Sequence, residues 1–373
     1  MQISDIPTPA VLIESSTLAR NIARMQKDVS EHGKALRPHC KTHKSPVIAR
    51  MQLAAGATGI CCAKLGEAEV FADAGVTDIR LPYPLNPANA DRVFALANRV
   101  TLSFIVDDAA VARVWSALAV ARGRRLNLLI KVDVGFHRCG IDPDNWPEAT
   151  FVVDEIARLP GVNFRGLLSH AGHGYNAASA DEARAIAENE ARILRELAAA
   201  SGVPCAEMSV GATPTARFSV AQPGVTEMRP GNYAYFDRTQ VALGAADWDD
   251  CALTILARVV SRPASDRVIL DSGSKTLTKD LARGFVEMPG YGAILTGLHT
   301  PKPDDRLEIV NLSEEHATVR ASGGDPGRLP TGTLVRIVPN HSCVVSNMVD
   351  AVWMVDGERV VERLPVAARG RIT

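Results

Sequence analysis

Between residues 15 and 245 the chain alternates two hydrophobic patterns. Short apolar runs rich in branched residues recur at 59–64 (GICCAK), 78–83 (DIRLPY), 100–106 (VTLSFIV), 126–134 (LNLLIKVDV) and 164–169 (FRGLLS), with weaker runs in ALRPHCK, EMSV and TEMRP. Runs of this length and composition suit strands buried on both faces. The stretches between them, such as SPVIARMQLAAG, GEAEVFADAG, ADRVFALANR and SADEARAIAENEARILRELAAASG, carry helical spacing, and several close on glycine, as helix C-termini do. Strand then helix, repeated about eight times, predicts a (β/α)8 TIM barrel over 15–245. A doubly wound open sheet is the alternative.

Past residue 250 the pattern changes. TILARVVSRP, DRVILDSGS, LEIVNLSEEHATVRAS, TLVRIVPNHSC and AVWMVDGERVVERLP are branched and period-two in places, with Gly, Pro and Asp between them. That predicts a C-terminal all-β domain over 246–373, with the linker near GAADWDD at 244–250. The strand-like PTPAVLIE assigns residues 1–14 to the same domain.

Composition narrows the function classes. With 41 basic and 42 acidic residues, the 373-residue chain has no net pull toward nucleic acid or membrane. No apolar run approaches the ~20 residues needed to cross a bilayer. The first residues lack a basic segment followed by an apolar one, so a secretory signal is not expected. Seven cysteines, an odd number and mostly scattered, read as reduced thiols in the cytoplasm.

A barrel of this type holds its active site at the C-terminal strand ends. The polar groups there are His39, Lys41 and His43, then Lys64, then Asp133, His137 and Arg138, then His170, His173 and Tyr175. Lys41 ends an apolar run and is flanked by His39, His43 and Lys44. Neighbouring cations and partial burial lower an ammonium's pKa, and a neutral amine is what a Schiff-base lysine requires. A solvated surface lysine is the bland reading. In SVGATPTAR the exposed amides of Gly211 and Ala212, with the hydroxyls of Thr213 and Thr215, suit a phosphate, against an ordinary Gly/Pro loop. PNHSC places His341 and Cys343 on one face if extended, an open pair suited to Zn²⁺. The plain alternative is a buried cysteine beside a loop histidine. His170 and His173 form a second candidate metal pair; hydrogen-bonded structural histidines are the ordinary reading. Cys40, Cys61, Cys62 and Cys139 read as small apolar fillers.

Together, RPHCKTHK, DVGFHRCG, GATPT, RPGNYAYFD and PNHSC, in that order, resemble the pyridoxal-phosphate enzymes of the alanine-racemase barrel, in the branch of D-serine dehydratase and metal-dependent D-threonine aldolase. The resemblance implies that Lys41 carries the cofactor, with His39, Arg138, His170, Tyr175, Gly211, Ala212, Thr213 and Tyr233 around it. Arg138 would face the cofactor's phenolic oxygen, and Tyr175 would lie near the substrate. His341 and Cys343 match the zinc pair of the dehydratases, although another divalent metal such as Mn²⁺ is open. The aldolases usually carry aspartate where Cys343 stands, which favours elimination of water from a β-hydroxy-D-amino acid over retro-aldol cleavage. The resemblance also implies a homodimer. Three rivals remain: a racemase using Tyr291 as a second base, a non-catalytic cofactor-carrying barrel and a cofactor-free metallohydrolase.

Overall fold

The computed structural model describes residues 1–295, 297–298, 302–322 and 329–373. The chain first lays down β1 (Ala10–Glu14) and then enters an eight-stranded parallel sheet. Its strands are β2 (Ala35–Leu36), β3 (Ile60–Cys61), β4 (Asp78–Pro84), β5 (Thr101–Val106), β6 (Leu126–Lys131), β7 (Val162–Leu168), β8 (Glu207–Val210) and β9 (Glu227–Met228). The spatial order is β2-β9-β8-β7-β6-β5-β4-β3. His39 bridges to Cys61 in parallel, and the Cys61 amide donates to the Pro38 carbonyl at 2.8 Å, so the two end strands meet and the barrel closes. Helices separate the strands, among them Pro46–Ala54, Leu65–Asp73, Ala109–Val120 and Ala180–Ser201.

Alternation along the strands sorts the two faces. Phe104, Leu128 and Leu167 join the large core under the helices, while their neighbours Ile105, Leu129 and Leu168 form a small cluster of their own. On other strands the interior positions are charged. Arg37 pairs with Glu227 at 2.7 Å, Arg80 with Glu207 at 2.5 Å and with Glu227, and Ser209 donates to Glu227 at 2.6 Å. These inward polar residues interrupt the apolar runs, which is why ALRPHCK and TEMRP are weak strand signals.

The second sheet is antiparallel apart from the β1–β16 pair. It comprises β1 with β10 (Leu253–Ala264), β11 (Arg267–Leu270), β12 (Ala293–Leu295), β13 (Leu307–Leu312), β14 (Ala317–Ala321), β15 (Leu334–Val338), β16 (Ala351–Asp356) and β17 (Arg359–Pro365). β1 lies between β10 and β16, deep in this sheet. The segment after β15 departs from the extended reading of PNHSC. His341 is extended, but Ser342–Asn347 turns into a short helix, because buried Asp237 accepts the Ser342 amide at 3.0 Å. No helix among the described residues is long and apolar enough to cross a membrane.

Candidate active site

The RPHCKTHK segment leaves β2 and makes a tight turn at Cys40–Thr42, with the Lys41 amide donating to His39 Nδ1 at 3.4 Å. Its basic side chains then part company. Arg37 joins the ionic network in the barrel. His43 is fully buried; its Nδ1 accepts the Ser45 amide at 3.1 Å, and its Nε2–H donates to Gln52 at 3.2 Å. Lys44 pairs with buried Glu67 at 2.9 Å. His39 and Lys41 line the inner cavity, and Lys44 borders its outer mouth. The expectation that His43 and Lys44 depress the Lys41 pKa is therefore corrected. Burial lowers it most, and the repelling cations are Arg138 and Arg229, brought from other strands; Cys343 and Glu67 oppose them. Lys41 keeps accessible surface where it lines the cavity, but protein encloses it closely enough for desolvation to dominate.

That cavity sits at the C-terminal strand ends and is lined by Lys41, His39, Arg138, His170, Tyr175, Gly211, Ala212, Thr213 and Cys343, among others. Arg138 is delivered by a folded-back loop. Asp133 Oδ1 accepts the amides of Gly135, Phe136 and His137, each at 3.0 Å. Gly135 and His137 take positive φ, and a Cβ on Gly140 would lie 2.5 Å from the Asp133 nitrogen. The pattern DVGFHRCG is thus a backbone requirement that presents one arginine. Asp133 and His137 serve this loop; Lys64 stands at the outer mouth, over the Tyr83 ring.

His170 Nδ1–H donates to the Gly211 carbonyl, which leaves Nε2 as an acceptor, and burial beside Lys41 keeps the ring neutral. His173 makes no pair with it: its Nδ1 has no hydrogen-bond partner, and its ring lies against Gly135. Gly211 abuts Arg229, where a Cβ would meet side chain and backbone within 2.9 Å. Thr215 donates to the Ala212 carbonyl at 3.4 Å, and Thr213 is buried at the cavity wall. The Tyr175 hydroxyl lies beside Thr213 and Gln240, and burial pushes its pKa well up. Tyr233 is the exception among the expected residues. It is fully buried in the core, its hydroxyl accepts from Gln52 at 3.0 Å, and the neighbouring Asn232 and Gly231 line the cavity instead. Tyr291 packs against the β-domain core.

Outward the cavity widens into a mouth shared by Lys41, Tyr175, Asn232, His341 and Cys343. His341 Nδ1 bonds Asp280 at 2.6 Å, and the ring also hydrogen-bonds the Cys343 side chain. Burial opposes the charged imidazole, but Cys343, Asp237 and Asp280 outweigh it and raise its pKa to about 10. Burial would likewise push the Cys343 thiol up, yet His341 and Thr42 bring it below its ordinary value.

Two family models cover nearly all of this architecture: "Alanine racemase, N-terminal domain" matches residues 13–239, and "Putative serine dehydratase domain" matches 252–355. The chain belongs to the alanine-racemase barrel family. Among its relatives, the D-threo-3-hydroxyaspartate dehydratase of Delftia sp. (strain HT23) is 35% identical over 91% of each chain. A D-threonine aldolase of Arthrobacter sp is 34% identical over 99% of this chain and 94% of that one. The solved Delftia dehydratase superposes with a TM-score of 0.91 at 31% identity, covering 98% of each chain, and a cysteine-to-alanine mutant of that dehydratase was solved in a metal-free form.

The residues present suit the groups this family implies. For pyridoxal phosphate there are a lysine of lowered pKa, a glycine cradle and the Thr213 side chain at the cavity wall. For a metal there are an imidazole oriented by a carboxylate and a cysteine sulfur whose pKa is lowered, a donor set that favours Zn²⁺ over Mg²⁺. No group of three or more His, Cys, Asp and Glu side chains suited to a metal occurs among the described residues, so the pair would leave most of the ion's coordination open. Among the cavity residues that escaped sequence reading, two are charged. Lys131 ends β6 with its ammonium on the Val132 carbonyl at 2.9 Å, its pKa lowered by burial to about 8. Buried Arg229 donates to Ser209 Oγ at 2.6 Å. Lys131 sat inside an apolar run and Arg229 beside a proline, so only their strand-end positions marked them.

Proposed function

We propose that the protein is a pyridoxal-phosphate- and zinc-dependent lyase that eliminates water from a β-hydroxy-D-amino acid, giving a 2-oxo acid and ammonia. One observation carries this reading: Lys41 and the His341–Cys343 pair open onto the same cavity mouth. Lys41 would hold the cofactor as a Schiff base, with Thr213, Gly211 and Ala212 at its phosphate and His39, Arg138 and His170 about its ring. Bound pyridoxal phosphate supplies an electron sink for the bond broken at Cα. Lys41, whose pKa is lowered by burial and by Arg138 and Arg229, would accept the Cα proton. His341 and Cys343 would hold the divalent metal, whose Lewis acidity assists a departing hydroxide, a poor leaving group. Asp280 fixes the His341 ring for that role. Tyr175 borders the substrate space.

Retro-aldol cleavage is the second reading, supported by the aldolase relative and using nearly the same groups. The thiolate of Cys343 favours dehydration. We further infer a homodimer, a cytoplasmic location suited to seven free cysteines, and a division into a barrel (15–245) and a β-domain (1–14 with 246–373), supported by the pairing of β1 with β10 and β16. Metal-loaded enzyme incubated with D-serine, D-threonine or 3-hydroxy-D-aspartate should release ammonia and a 2-oxo acid. Glycine with an aldehyde or glyoxylate, and no ammonia, would overturn the dehydratase assignment.

A further inference from the structure

The lysine turn and the thiolate helix come from opposite ends of the chain and are joined at one residue. Thr42 follows Lys41 in the turn Cys40–Thr42. Its Oγ1 lies 3.3 Å from Cys343 Sγ, and its carbonyl accepts from Ser346 Oγ, on the helix that carries Cys343. A metal-binding thiolate has no proton to give, so the Thr42 hydroxyl is the donor. Asn232 Nδ2 approaches the same sulfur at 3.5 Å, although its shorter bonds go to Asp237 at 2.7 Å and Ser342 at 3.1 Å. Thr42 itself is fully buried. Gly231 confines it further, since a Cβ there would lie 2.9 Å from the Thr42 hydroxyl.

We propose that Thr42 is a positioning residue for the metal: its hydroxyl donates to the Cys343 thiolate, orients that ligand beside Lys41 and draws charge from the sulfur. This inference rests on the reading of His341 and Cys343 as metal ligands. Outer partners of metal ligands typically change affinity about 10–100-fold when removed. A hydrogen bond to a thiolate also stabilises the lone pair from which sulfur-to-metal charge transfer starts. Its loss should move that absorption to longer wavelength, a change that general loosening of the fold does not predict.

The test uses Co²⁺ in purified holoenzyme carrying its cofactor, comparing wild type, Thr42→Val and Thr42→Ser. Valine keeps the shape of threonine and removes the donor. Thr42→Val should bind Co²⁺ at least about tenfold more weakly and show a red-shifted thiolate–cobalt band, while its cofactor absorbance stays as in wild type. Thr42→Ser restores both properties. A valine variant with wild-type affinity and band position would overturn the proposal while leaving the metal pair intact. A wild-type enzyme with no thiolate–cobalt band would overturn the metal reading, and the role of Thr42 with it. If the valine variant fails to fold, a serine variant whose band is displaced as far as that of Asn232→Ala would equally refute a hydroxyl-specific role.

Discussion

At the scale of single residues, Lys41 and Cys343 divide the proposed chemistry. Lys41→Ala removes both the tether and the base. It is expected to lose the Schiff-base absorbance and to lower turnover by at least about 10²–10⁴-fold, the usual contribution of a positioned proton acceptor; absorbance spectra and ammonia release check the two together. Cys343→Ala should keep the colour and lose bound metal, measurable by elemental analysis, together with most of the elimination. His43 provides a pH signature. Burial lowers its pKa to about 4, so the folded protein keeps it neutral where the unfolded chain, near 6.5, takes up a proton. Its contribution is present above pH 6.5 and is lost as pH falls toward 4, a loss of about 3 kcal/mol. Urea unfolding at pH 7 and pH 5 should show that decline, and His43→Asn should flatten it. An unchanged slope in the variant would remove His43 from the account.

Elements explain why particular residues reach the cavity. The strand patterns were legible because a barrel strand alternates between the helix layer and the interior, and Phe104 and Ile105 show both faces side by side. The weak strands β2 and β9 were hard to read because Arg37, just past β2, and Glu227 in β9 stand in place of apolar groups. Loop geometry decides the rest. Gly231 brings the loop after β9 against the lysine turn, where a Cβ would lie 2.7 Å from the His39 carbonyl. Gly231→Ala should therefore push the two loops apart, destabilise the protein by about 1–3 kcal/mol and weaken cofactor binding. Equilibrium unfolding and cofactor titration test this, and wild-type values in both would contradict the close approach.

Across the whole molecule, the order of the chain places His341 and Cys343. β1 is committed to the second sheet before the barrel begins, and the chain returns to that sheet after β9. Asp237, past the last barrel strand, then accepts the Ser342 amide and holds the thiolate helix over the cavity. Two ligands on adjoining turns of chain close no long loop, so a metal here adds little to folding compared with a structural zinc site. Removing it with a chelator should leave circular dichroism and cofactor absorbance unchanged while turnover stops, and Zn²⁺ should restore activity. Collapse of the fold on chelation would instead mark a structural metal.

Sequence alone determined the alternation of strands and helices, the change to β structure past residue 250, and most of the groups at the strand ends, because hydrophobic periodicity and glycine spacing are local properties of the backbone. Tertiary structure alone decided which basic groups of RPHCKTHK face inward, that Arg138 and Arg229 act on Lys41, that Tyr233 turns into the core, and that Thr42 meets Cys343. Those outcomes depend on contacts between segments tens to hundreds of residues apart, and burial and charge act through space, which residue order does not record.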